Sequence, residues 1–139
     1  MSESSFDDQE LRASLQNAHK QLLELHRTLI AATRKDYERE HGPVENPYTL
    51  LSLVSNDPAF AWLRPLTTLL VEIDDLLEQE EMSTYLASAV RAAAAVLLMP
   101  SEVEDTSFYD LLRAARENEP SLVTQHAHVR QAIGRLPQG

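Results

Sequence analysis

The chain has 139 residues, 43% of them hydrophobic and 24% charged, with a net charge of −10, three glycines and no cysteine. That length fits one domain able to bury roughly two-thirds of its unfolded surface, and the composition is globular rather than disordered. The missing cysteines exclude disulfides, thiolate metal sites and cysteine nucleophiles, and the acidic balance argues against nucleic acid, whose binders neutralise phosphates with Lys and Arg.

The chain begins MSESSFDDQE. Residues 1–6 read as a disordered acidic tail ahead of a single domain over 7–136, with 137–139 as a second tail. This start has neither the basic nor the apolar region of a signal peptide, and no apolar run approaches the roughly 20 residues that span a bilayer. A cytoplasmic protein with no membrane contact is therefore expected. Ten arginines against two lysines point to a GC-rich bacterial genome.

Leu11, Leu15, Ala18, Leu22, Leu25, Leu29 and Ala32 recur at steps of four and three, with Leu23, His26, Ile30, Thr33 and Tyr37 in a row beside them. The joint arc is wider than about 100°, which suits a helix packed against two neighbours. A first helix is predicted from Asp7 to Glu40, stopped by Gly42 and Pro43. Asn46 with Pro47, then Asp57 with Pro58, each set a capping side chain before a proline at the first helical position. They start a short helix to about Ser55 and a third helix with Trp62, Leu66, Leu69, Ile73 and Leu76 or Leu77 along one face. Pro65 falls inside that third helix, removes the bond to the Ala61 carbonyl and predicts a kink one turn after Trp62.

Ser83 caps a fourth helix that closes before Pro100, with Tyr85, Leu86, Ala89, Ala93, Val96 and Leu97 inward. After the loop PSEVEDTS, FYDLLRAARENE is helical. Pro120 and Ser121 restart the chain for a last helix with Leu122, His126, Val129, Ile133 and Leu136 on one side. No stretch alternates like a strand. Short loops between these segments predict an all-α, up-down-up-down four-helix-bundle-like fold, with a long first helix, a short helix before a Pro-kinked third, and a broken C-terminal helix pair.

The stretch NDPAFAWLRPLTTLLVEIDDLL, Asn56 to Leu77, resembles a segment of a small, uncharacterised bacterial all-helical family with a DPxFAWLRPL-type motif. The resemblance covers about a sixth of the chain. It implies a helical bundle and brings no activity, cofactor or catalytic residue with it.

A di-iron centre needs two inward Glu-x-x-His pairs and two further glutamates. Only Glu38 with His41 has that spacing, at the frayed end of the first helix. His19 and His26 are seven residues apart, about 10.5 Å along a helix and too far to chelate one ion. His126 and His128 point to opposite sides. A metal would need His26 and His126 brought together across the bundle with Asp74 or Glu78; a hydrogen-bonded core histidine is the simpler role for each. His19 is followed by Lys20 but then by Gln21 and Leu22, unlike the lysine–glycine pair after a phosphotransfer histidine. There is no Gly-x-Ser-x-Gly elbow, and three glycines make no phosphate loop. No catalytic residue, metal ligand or cofactor is expected.

Charge is distributed unevenly. Six acids and no base lie between Leu66 and Glu81, whereas six bases face four acids between Leu11 and His41. Either stretch is explained by a solvated helix face, and the acidic one also suits a basic partner. Two functional readings remain. The first is a non-catalytic protein, an adaptor or regulator, that binds an unidentified protein through a helix face or forms a weak homodimer. Its alternative is a small-ligand-binding protein or enzyme with a pocket at the Trp62/Pro65 kink, built from His26, Tyr37, Trp62, Tyr85 and His126.

Overall fold

The computed structural model describes residues 7–102 and 107–138. The expected tail at 1–6, residues 103–106 of the loop after Pro100, and Gly139 lie outside the described residues. Those described form six α-helices and one 3-10 segment, with no strand among them.

Helix α1, Asp8–His41, carries the heptad seam and is about 50 Å long. Asp7 caps it by accepting from the Glu10 amide at 2.7 Å. Gly42 ends it at φ 86°, a conformation that costs a residue with a β-carbon. Leu11, Leu15, Ala18, Leu22, Leu25 and Leu29 are all buried, as the spacing predicts. At the seam's end Thr33 takes the buried place expected for Ala32, its hydroxyl donating to the Leu29 carbonyl at 2.8 Å.

Helix α2, Pro47–Asn56, starts at the predicted Asn46 cap, and Asp57 caps the next segment by accepting from the Ala59 amide at 2.9 Å. That segment differs from the expectation. Pro58–Leu63 is a 3-10 turn, and the helix proper, α3, begins at Arg64 and runs to Leu77. The Arg64 amide already takes the Ala61 carbonyl, so Pro65 deprives nothing of a partner. It occupies the second position of a new helix, where a missing N–H is harmless. Pro65 is therefore a start signal and not a kink.

Helices α4 (Thr84–Leu98), α5 (Ser107–Asn118) and α6 (Ser121–Gly134) complete the chain. The register of α4 also departs from the expectation. Its buried residues are Ala87, Ser88, Val90, Ala94 and Leu98, whereas Tyr85, Leu86, Ala89 and Ala93 are exposed. In α6 the predicted row Leu122, His126, Val129 and Ile133 is buried, joined by Leu136. Pro137, which follows it, is buried as well.

Helices α1, α3, α4 and α6 each pack on the next and close a ring. Cross-links set the directions. Arg12 donates to the Leu77 and Gln79 carbonyls, His19 meets Asp74, and His26 meets Thr67, so α3 runs back along the first half of α1. On α4, Arg91 reaches the Gly134 and Leu136 carbonyls and the Leu98 carbonyl faces His126, so α6 runs opposite to α4. The surplus length of α1 is covered from within the chain. Tyr37 stacks near Phe60 of the 3-10 segment at 6.1 Å, and Trp62 of that segment meets Phe108 of α5 at 5.4 Å.

Candidate functional site

The five residues expected to share one pocket are distributed over the bundle. Tyr37 and Trp62 do line one cleft, an open cavity of about 390 Å³ between the end of α1, the 3-10 segment and α5. His41, Asp36 and Glu40 line it as well. They stand with Tyr37 on one face of α1, a spacing legible in the sequence. Asp36 is held by Arg39 at 2.8 Å, and the rings of Tyr37 and His41 lie 4.4 Å apart.

The other three residues are elsewhere. His26 is half-buried on α1, with Nε2 3.0 Å from the Thr67 hydroxyl, and burial pushes its pKa below 6.5. It has the hydrogen-bond partner expected of it but not the full burial. Tyr85 is 79% exposed at the start of α4, so it is no part of a pocket with Trp62.

His126 is 2% exposed, and its two bonds define its state. Arg116 Nη1 lies 2.9 Å from Nδ1, and the Leu98 carbonyl lies 2.8 Å from Nε2. An arginine only donates and a carbonyl only accepts, so Nδ1 must be the bare nitrogen and Nε2 must carry the proton. Burial lowers the pKa of this imidazole; the Leu98 bond works against that, and the charges of Arg116 and Arg130 add to the lowering. His126 is a neutral brace between the end of α4, α5 and α6. No group of three or more His, Asp or Glu among the described residues could hold a metal ion.

No family model matches this chain, and neither the curated proteins nor the solved structures contain a match to it.

The register of α4 creates a groove beside α3. Leu86, Ala89, Val90, Ala93, Val96 and Leu97 of α4 face Pro65, Thr68, Leu69, Glu72, Asp75 and Leu76 of α3 across two adjoining hollows of about 230 and 390 Å³ that share Glu72. The pairing of Pro65 with Leu97 at one end and Leu76 with Leu86 at the other makes one groove between antiparallel helices. From Leu86 to Leu97 it runs about 16 Å, three helical turns. Its floor is apolar, and Tyr85 stands one helical turn before Ala89 on the same face.

Proposed function

We propose that this protein is a non-catalytic helical-bundle adaptor or regulator that binds another protein through the α3–α4 groove. The observation that carries the proposal is the outward face of α4. Tyr85 is 79% and Leu86 43% exposed, with Ala89 and Ala93 exposed beside them. Contiguous apolar surface of that kind marks a contact site, and small alanines let a partner backbone come close. The groove has the form in which helical proteins receive a further helix. Bacterial origin and cytosolic placement belong to the proposal and rest on the arginine-rich, acidic, cysteine-free composition.

The test is photo-crosslinking in the native host. A benzoylphenylalanine in place of Tyr85 should form an adduct with one defined protein, and the same group in place of the exposed Val123 of α6 should not. Equal adducts from both positions, or none from Tyr85, would overturn the proposal.

A small-ligand site is the second reading, favoured by the cleft between Tyr37 and Trp62. Among the described residues the Trp62 indole N–H has no hydrogen-bond partner, and the Asp36 and Glu40 side chains line the same cleft.

A further inference from the structure

The groove is charged on one wall only. Glu72 and Asp75 line it from α3, both exposed, and among the described residues neither carboxylate has an ion pair or hydrogen bond. Their neighbour Asp74 points elsewhere, taken by His19 at 2.9 Å. The α4 wall offers nothing to neutralise them. Its one charged residue in Thr84–Leu98 is Arg91, whose guanidinium is committed to the carbonyls of Gly134 and Leu136. An apolar floor flanked by unpaired carboxylates is complementary to an apolar stripe flanked by cations.

We infer that the occupant of the α3–α4 groove is a basic amphipathic helix of another protein, at least three turns long, with its Lys or Arg residues against Glu72 and Asp75. This rests on the docking proposal above and names the partner's chemistry. A second copy of this chain is a poor occupant. Each copy carries a net charge of −10, a face-to-face pair gathers the unpaired carboxylates of both at one interface, and the most regular apolar stripe, that of α1, is already buried. Anionic lipid surfaces and nucleic acids are repelled by the same two carboxylates. At an exposed rim such charges select the partner and speed its arrival more than they tighten it.

The experiment titrates the isotope-labelled full chain with a synthetic helix of about 18 residues, five turns, bearing leucines at positions i, i+3, i+4 and i+7 and lysines elsewhere. A counterpart with glutamates for lysines is the control. The basic helix should shift amides within 65–76 and 86–97 and saturate. Its Kd should weaken roughly fivefold in the Glu72→Gln/Asp75→Asn double variant, as two exposed charge pairs allow. It should weaken more than about tenfold in Ala93→Arg, which fills the floor and offers Glu72 an internal cation. The spectrum of each free variant verifies its fold.

Equal binding of the acidic helix, shifts outside the groove, or indifference to the double variant would overturn the inference. So would a tight dimer in sedimentation that Ala93→Arg dissolves, which would assign the face to a second copy. If the basic helix fails while the Tyr85 crosslink to a defined protein persists, the partner chemistry is wrong and the docking site stands. If both fail, the docking proposal fails with them.

Discussion

Ala93 and Ala94 are adjacent in a run of four alanines, yet the fold gives them opposite environments. Ala94 has no exposed surface in the core of the ring, whereas Ala93 faces solvent in the groove. Enlarging each to leucine adds the same three carbons. At Ala94 they meet a packed interior, where inserted methylenes force side chains off their rotamers at about 1–3 kcal/mol. At Ala93 they meet water on one side, and a surface change of that kind stays within about 0.5 kcal/mol. With a urea slope near 2 kcal/mol per M, Ala94→Leu should lower the unfolding midpoint by roughly 0.5–1.5 M and Ala93→Leu by less than about 0.3 M. Circular dichroism at 222 nm measures both. Equal losses, or a greater loss at Ala93, would refute the register of α4 and remove the groove with it.

Other substitutions probe the supports of the bundle. His126 has a folded-state pKa below its unfolded value, so its neutral bonds contribute full stability above about pH 6.5 and lose it as pH falls further. Urea midpoints should thus drop from pH 7.5 to pH 5.5, and His126→Gln should reduce that slope while lowering the plateau; an unchanged slope would contradict the neutral state assigned to the ring. Arg91→Met should cost about 1–2 kcal/mol and speed amide exchange over 132–136, because the Gly134 and Leu136 carbonyls lose a charged donor. Pro65→Ala should change stability by less than about 1 kcal/mol and leave α3 starting at the same residue, since the proline stands in a first turn. A change in helix direction would restore the kink.

Long periodic segments are legible from the sequence for a physical reason. The seam of α1 repeats over six turns, so a wrong register would expose every leucine in it, and the apolar row of α6 is bounded by polar residues on its other side. Helix α4 lacks that contrast. Between Thr84 and Leu98 its single charge is Arg91, half-buried because it braces α6, and alanine and leucine occupy both faces. Periodicity then has nothing to rotate against, and Tyr85 reads as inward when it stands in solvent. Pro65 reads as a kink because a proline in a first turn and one in a helix interior look alike unless the preceding 3-10 segment is known. The brace around His126 joins residues 10 and 28 positions away, a long-range closure that spacing does not encode. Tyr37 and Trp62 share a cleft because the 3-10 segment and α5 lie beside the surplus end of α1.

The most direct measurement of docking through the α3–α4 groove joins binding and folding in one protein. With the crosslinker at Tyr85, the substitution Ala93→Arg is added and the adduct in the native host is compared with the urea midpoint of the purified variant. Docking through the groove predicts loss of the adduct with a midpoint within about 0.3 M of the parent, the same bound as for Ala93→Leu. An adduct of undiminished yield from a folded Ala93→Arg protein would contradict it.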